Sequence, residues 1–308
     1  MPVGGTDVPT LAEGTWGLRE ALRWGAKRLA DAGVARGEGA AREAAILLSH
    51  CLGIPTCRMY ARLDLVEPEA SARYAQAIAR RCSREPIQYI TGVQEFMSLA
   101  FAVDQRVLIP RPDTETLVEV VLEHLARRAP VRGSFADVGT GSGAVAVSIA
   151  KYGDCGGFAL DSSRGAIEVA TENARRHGVA DRLVFLVGDL LSPLEGLGLG
   201  GTLECVVSNP PYVTPDEYES LDPQVRDYEP REALVCPDTE GLYGRLADQA
   251  AGLLRPGGLL AVEVGYGAAE LVADVFSADG HYCDVGTRKD LGGVDRVVYC
   301  ERKREGGG

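Results

Sequence analysis

Residues 135–144, Phe-Ala-Asp-Val-Gly-Thr-Gly-Ser-Gly-Ala, constrain the fold more tightly than any other stretch of the chain. A short run of strand character passes directly into Gly139-Thr140-Gly141-Ser142-Gly143, and a helical segment follows at 144–150. Glycine at alternate positions lets the backbone turn sharply from strand to helix, and it lets a ligand approach bare main chain. Such a turn suits the carboxyl end of a parallel strand, with the next helix packing back over the sheet.

The surrounding pattern agrees. Apolar strands are expected at 134–138, 158–160, 184–187, 203–207 and 259–264, separated by helical or loop segments. Regular alternation of this kind predicts an α/β fold with a doubly wound, mostly parallel, Rossmann-like sheet. Segments 282–287 and 294–300, joined through Gly292-Gly293, read as an antiparallel pair closing one edge, and the tail 301–308 is expected to fray.

The first ninety residues differ in character. Thr15 is a candidate N-cap for a helix over 16–32 that Gly33 stops. Residues 40–52 place Ala44, Leu47, Leu48 and Cys51 at helical spacing before Gly53 and Pro55. Residues 69–82 form another alanine-rich helix, with Tyr74, Ala77 and Ile78 inward. Two short strands are expected within 94–109, then extended backbone at Ile109-Pro110-Arg111-Pro112 and a helix over 114–128. The chain therefore divides into a small helical bundle (1–92), a β-hairpin linker (93–109) and a catalytic domain (110–308). The bundle is either a stabilising appendage or a docking module for a large substrate.

Charge and composition narrow the class. The net charge is −12; residues 1–92 hold 12 Lys+Arg against 10 Asp+Glu, leaving 20 against 34 for the rest. An acidic catalytic half argues against a phosphate backbone as stable partner, since such proteins usually present a basic surface. The eight cysteines are scattered without Cys-x-x-Cys spacing, which suggests free thiols rather than a disulfide framework or a zinc site. None of the four histidines lies near a nucleophile pattern, and no metal is expected. No apolar run approaches the ~18 residues of a membrane span, and residues 1–14 lack the features of a secretory signal, so a cytoplasmic location is expected.

The glycine loop gains meaning from Asp161, which ends the next strand 22 residues after Gly139. A carboxylate there can accept hydrogen bonds from a ribose diol, a group that NAD and S-adenosylmethionine share. The third strand ends in Gly188-Asp189-Leu190. For S-adenosylmethionine, Asp189 would accept from the adenine amino group, Leu190 would pack on the ring, and Asp137 would help to place the methionine end. For Asp189 the plain alternative is a carboxylate capping a turn.

The segment leaving the fourth strand separates the two cofactors. Ser208-Asn209-Pro210-Pro211-Tyr212 stands at a strand's carboxyl end, and Asn209, preceding proline, is held extended. Its side-chain oxygen and the Pro210 carbonyl can both accept from one NH2 group, while Tyr212 can cover a flat substrate. That arrangement suits methylation of nitrogen on an sp2 carbon, whose lone pair is delocalised and needs orienting. A dedicated base is unnecessary, because the methylated cation sheds its proton readily. The motif alone leaves open whether the nitrogen belongs to a nucleobase or to an amide.

Further stretches carry a resemblance. Arg84-Glu85-Pro86-Ile87-Gln88-Tyr89-Ile90-Thr91-Gly92, residues 107–115 (Val-Leu-Ile-Pro-Arg-Pro-Asp-Thr-Glu), residues 228–234 (Tyr-Glu-Pro-Arg-Glu-Ala-Leu) and Lys289-Asp290-Leu291 with Asp295-Arg296-Val297-Val298 accompany the two motifs. Over nearly its whole length the chain resembles the peptide-chain release factor glutamine methyltransferases, the HemK/PrmC family. The resemblance implies a protein-(glutamine-N5) methyltransferase using S-adenosyl-L-methionine, with Gly139, Thr140, Gly141, Ser142, Gly143, Asp161, Asp189, Leu190 and Asn209 binding the cofactor. Asn209, Pro210, Pro211 and Tyr212 are the catalytic segment it implies. Its substrate would be the glutamine of a Gly-Gly-Gln loop in class I release factors, with residues 1–92 helping to bind it, and a monomer is expected. The chain departs from the family at Asp113, where glutamate is more usual, at Leu190, where an aromatic often stacks on adenine, and at 236–239. A nucleic-acid adenine or guanine amino-methyltransferase and a non-catalytic release-factor-binding module are the competing readings.

Overall fold

Alanine-rich, periodically apolar stretches at the amino end coil into helices, and the later apolar runs pair as strands. The structure, a computed structural model, describes residues 16–62, 65–127 and 134–304. It has two units: the described residues up to Gly92 together with Pro223–Tyr228, and the described residues of Val93–Asp222 and from Glu229 onward.

The first unit contains β1 (Trp16–Gly17), α1 (Leu18–Asp31), α2 (Gly37–Leu52), α3 (Thr56–Arg62), β2 (Leu65–Val66), α4 (Pro68–Cys82) and α5 (Ile87–Thr91). Leu29, Ala44, Leu47, Leu48, Met59, Tyr74 and Ile78 form its core. Complete burial of a leucine contributes roughly 1.5–3 kcal/mol, so this small set is a substantial share of the unit's stability. Helix α1 comes so close to α4 that a Cβ on Gly25 would fall 1.9 Å from the Tyr74 hydroxyl oxygen. Arg81 is buried, held by Glu43 at 2.7 Å and by the Glu85 carbonyl at 3.2 Å. From the later segment, Gln224 Oε1 accepts from Arg81 at 3.4 Å, and the Tyr228 hydroxyl donates to the Ser83 carbonyl at 2.6 Å.

Some bounds differ from the sequence expectation. Helix α1 begins two residues later than expected, because Trp16 and Gly17 pair antiparallel with Val66 and Leu65; Thr15 lies outside the described residues. The short helix α3 follows Pro55, which read as a breaker, and α5 follows Pro86; the fixed φ of proline also suits a helix start.

The second unit opens with the hairpin β3 (Val93–Phe96) and β4 (Leu99–Ala102), then α6 (Glu115–Ala126), β5 (Ser134–Val138), α7 (Ala144–Tyr152), β6 (Gly156–Asp161), α8 (Arg164–His177), β7 (Leu183–Val187) and β8 (Leu203–Ser208). Next come α9 (Pro215–Tyr218), the short α10 (Pro223–Arg226) that counts with the first unit, α11 (Thr239–Leu253), β9 (Leu254–Glu263), α12 (Ala269–Ala278), β10 (Tyr282–Lys289) and β11 (Asp295–Arg302). The seven-stranded sheet runs β10-β11-β9-β8-β5-β6-β7, parallel from β9 to β7, with β11 and β10 antiparallel at the edge.

Both faces of the sheet are covered. Leu117, Val121, Val147 and Ala174 pack with Phe135, Cys205 and Ala261 on one side. Leu246, Ala250, Val272 and Phe276 pack with Ala136, Val206 and Leu260 on the other. Every residue of β8 is buried, which explains why a central parallel strand reads as an unbroken apolar run.

The hairpin is more than a connector. Phe96 and Phe101 meet edge to face at 6.1 Å within the unit's core, and Asn173 holds Ala102 by both its N–H (2.7 Å) and its carbonyl (2.9 Å). The expectation of a frayed tail fails for Glu301 and Arg302, which pair with Leu259 and Tyr282, respectively; residues 305–308 lie outside the described residues. All eight cysteines are free, five of them buried. His124 is buried against Glu204 at 3.3 Å, and His177 contacts the Ala100 carbonyl at 2.9 Å. Among the described residues no helix is long and apolar enough to cross a membrane.

Candidate active site

Strands β5 and β8 are adjacent and parallel, and the strand order reverses between them: β6 and β7 extend to one side, β9 to the other. At such a switch point the segments leaving the two strands diverge and open a crevice at their carboxyl ends. The two segments here are Gly139–Gly143 and Ser208–Tyr212. Ser208 ties them by donating to the Val138 carbonyl at 2.8 Å, and a Cβ on Gly139 would lie 3.8 Å from the Asn209 carbonyl oxygen.

The loop needs its glycines. Gly139, Gly141 and Gly143 have φ of 72°, 54° and 79°, a region that costs other residues roughly 1–2 kcal/mol. Gly139 and Thr140 both donate to the Leu160 carbonyl, at 2.8 and 2.9 Å. From below, Asp137 Oδ2 accepts from the Thr140 hydroxyl at 2.7 Å and from the Ala146 N–H at 3.0 Å. Burial pushes the Asp137 carboxyl up to about 7, against the pull of those two donors. Asp137 does not line the cleft, so its effect on a methionine end would pass through the loop it holds. Gly143 also stands behind the cleft, where a Cβ would come within 3.0 Å of Ala170.

Gly139 to Ser142, Asp161, Asp189, Leu190 and Asn209 to Pro211 line one cleft, together with Arg106, Arg111 and Glu232. Asp161 Oδ2 accepts from the Gly141 N–H at 2.9 Å and Oδ1 from the Ser163 N–H at 2.8 Å. Burial raises its pKa, opposed by those bonds. Each oxygen keeps an acceptor direction, so the carboxylate fits a ribose diol. Asp189 is mostly exposed and pairs with Arg245 at 2.8 Å, so an adenine amino group would share it with that guanidinium. Leu190 adopts φ 49°, a strained conformation for a γ-branched side chain, and it is partly buried in the cleft wall.

In the segment leaving β8, Asn209 Nδ2 donates to the Thr114 hydroxyl at 3.2 Å. Tyr212 stands outside the cleft lining: its ring leans on Gly265, where a Cβ would be 3.0 Å from Cδ2, and its hydroxyl donates to Glu263 Oε1 at 3.3 Å. Burial and the Glu263 charge push the Tyr212 hydroxyl up to about 12, so it remains a donor. The Glu263 carbonyl accepts from Tyr243 at 2.8 Å. Arg296 braces the same corner through Asp290 at 3.0 Å, Asp113 at 3.4 Å and the Val264 carbonyl at 3.3 Å.

Sequence reasoning missed Thr114, Glu263, Arg111 and Glu229. Glu229 is buried and takes both the Arg111 guanidinium at 2.5 Å and the Ile109 N–H at 3.1 Å, which fixes the cleft's Arg111 wall. The available signals were Glu263 itself, an acid inside the apolar run Leu259 to Val264, and the family-like stretches 107–115 and 228–234, which hold Arg111, Thr114 and Glu229.

A glycine loop, a strand-end carboxylate and an Asn-Pro-Pro-Tyr turn at the switch point of this sheet define a Rossmann-like methyltransferase. Family models agree: the PrmC N-terminal domain matches residues 20–92, and the methyltransferase small domain matches 112–221. The chain is 44% identical to the release factor glutamine methyltransferase of Moorella thermoacetica, over 94% of this chain and 99% of that one. It is 42% identical to the enzyme of that name from Geobacter sulfurreducens, over 92% and 96% of the two chains. The chain belongs to the release factor glutamine methyltransferase family.

Proposed function

We propose that the protein transfers a methyl group from S-adenosylmethionine to the side-chain amide nitrogen of the glutamine in the Gly-Gly-Gln loop of class I release factors. The observation that carries this reading is the closeness of the glycine loop to Asn209, which brings a nucleoside-binding loop and an NH2 acceptor into one crevice. When bound, the cofactor supplies an electrophilic methyl group. Asp161 would accept from its ribose hydroxyls, while Leu190 packs on the adenine and Asp189 accepts from its amino group. Asn209 Oδ1 and the Pro210 carbonyl accept the two amide hydrogens and hold the nitrogen lone pair toward the methyl carbon. As the N–C bond forms the C–S bond breaks, and the surplus proton leaves to water. Holding two partners in line contributes roughly 7–11 kcal/mol relative to free encounter.

A protein acceptor suits the rim better than a nucleic acid. The chain beyond residue 92 carries 34 acidic against 20 basic residues, and Tyr266 and Leu291, on loops near Val264 and Asp290, are exposed to solvent. Exposed apolar side chains of this size favour a polypeptide partner. The helical unit would then bind the body of the release factor, in the cytoplasm. Every residue used comes from one chain, so the reading needs no second copy.

The deciding experiment gives the enzyme labelled S-adenosylmethionine with purified release factor, DNA and RNA in parallel, and maps the label by mass spectrometry. Label on the Gly-Gly-Gln glutamine is expected; label confined to nucleic acid overturns the reading.

A further inference from the structure

Asn209 can accept from a substrate NH2 only if its amide presents the oxygen, although the two ends of an amide have nearly the same shape. Its Nδ2 faces the Thr114 hydroxyl oxygen at 3.2 Å. A hydroxyl has one hydrogen, and for Thr114 to accept from Asn209 that hydrogen must be aimed elsewhere. Beside it is Glu263, a carboxylate only 1% exposed, at the end of a buried strand. Glu263 Oε1 takes the Tyr212 hydroxyl at 3.3 Å. Oε2 is buried without a hydrogen-bond partner among the described residues, and the Thr114 side chain is the foremost neighbour that favours the charged form. An ionised carboxylate accepts and cannot donate.

We infer that Glu263 is a positioning residue: by accepting from Thr114 and Tyr212 it makes the Thr114 oxygen accept from Asn209, and so turns Asn209 Oδ1 toward the substrate nitrogen. This deepens, and rests on, the role given to Asn209 above. The direction of the whole chain of hydrogen bonds is set at its buried end. If Glu263 carries a proton, it can donate to Thr114, Thr114 can donate to Asn209, and the amide flips. Asn209 would then offer NH2 to a substrate that also offers NH2, and no bond could form. Burial pushes the Glu263 carboxyl up to about 7; Thr114, Arg296 and Tyr212 hold it down, and Asp113 raises it. Tyr243, from α11, also lies against this residue, its hydroxyl donating to the Glu263 main-chain carbonyl. Reversal therefore falls in the neutral range.

The test compares full-length Glu263→Gln, Thr114→Val and Thr114→Ser with the unmodified enzyme. The first two should each lower kcat by about 10²-fold, the scale of a misplaced reacting group. Cofactor Kd and acceptor KM should stay near their starting values. Thr114→Ser keeps the hydroxyl and should retain most of the rate. The double variant Glu263→Gln/Thr114→Val should be no slower than the worse single one, because both interrupt the same chain. In the unmodified enzyme kcat should fall as pH drops through about 7, and Glu263→Gln should lose that limb. An unchanged kcat in Glu263→Gln, equal losses in Thr114→Val and Thr114→Ser, or a limb that survives in Glu263→Gln overturns the inference. Variant ratios are taken on whichever acceptor the unmodified enzyme methylates, so a wrong substrate assignment and a wrong relay give different results.

Discussion

Asp161 Oδ2 accepts the amide hydrogen of Gly141 at 2.9 Å, joining the carboxyl end of one strand to the turn that leaves its neighbour. Asp161, the proposed ribose acceptor, is thus tied directly to the glycine loop, and a change there acts on both.

Asp161→Ala removes that brace together with the two acceptors offered to the ribose. Hydrogen bonds to a charged group contribute about 1.5–3 kcal/mol each, so cofactor affinity should weaken by at least ~10²-fold. Titration calorimetry with S-adenosylmethionine measures it. Affinity within a few-fold of the unmodified enzyme would exclude Asp161 as the ribose partner.

Asn209→Ala leaves the loop and Asp161 in place but removes a hydrogen-bond acceptor aimed at the reacting nitrogen. Turnover should fall by about 10²–10³-fold, on the scale of losing an oriented hydrogen-bonding group in other active sites. Cofactor binding should persist. Single-turnover rates beside equilibrium binding separate the two effects.

Gly143→Ala should destabilise the protein more than Gly141→Ala. Both substitutions pay for a positive φ, but only at Gly143 would the new Cβ press on Ala170, at 3.0 Å from its Cα, whereas the space around Gly141 is open. A further loss of roughly 1–3 kcal/mol from overpacking is expected at Gly143. Thermal unfolding of the two variants side by side decides it, and equal melting temperatures would contradict the packing.

Asp137 and Glu263 both titrate near 7 in the folded chain because burial opposes their charge. Once unfolded they return to the ordinary range near 4, so between about pH 4 and 7 the folded state holds protons that the unfolded state has released. Their contribution to stability is full below that window and is lost as pH rises through it, by up to about 4 kcal/mol for Asp137. Denaturant unfolding at pH 5 and pH 7.5 should show stability falling between them, and Asp137→Asn should flatten the slope.

The parallel sheet was legible because β8 is buried on both faces and therefore spells a continuous apolar run, and because three glycines can only mean a tight turn after β5. The pairing of Trp16–Gly17 with Leu65–Val66 was not, since two residues of strand leave no periodicity. Asn209 was readable as a candidate for holding the acceptor nitrogen from the prolines beside it. Its orientation was not: Thr114 read as a helix start and Glu263 as part of an apolar strand over 259–264, and the two meet only in the fold. Asp189 was readable as a strand-end carboxylate, but Arg245, its partner, is 56 residues away and became visible only when α11 was in place.

The helical unit is discontinuous in sequence, and this bears on how the protein is made. Residues up to Gly92 leave the ribosome first, but Pro223–Tyr228 emerges only after the strands from β5 to β8 have been synthesised. Until then Arg81 lacks the Gln224 side-chain oxygen and Ser83 lacks the Tyr228 hydroxyl. Domains generally fold as units in order of synthesis. Here the bundle that comes out first carries its whole apolar core within residues 18–90, and a short peptide from later in the chain adds only the polar contacts to Arg81 and Ser83.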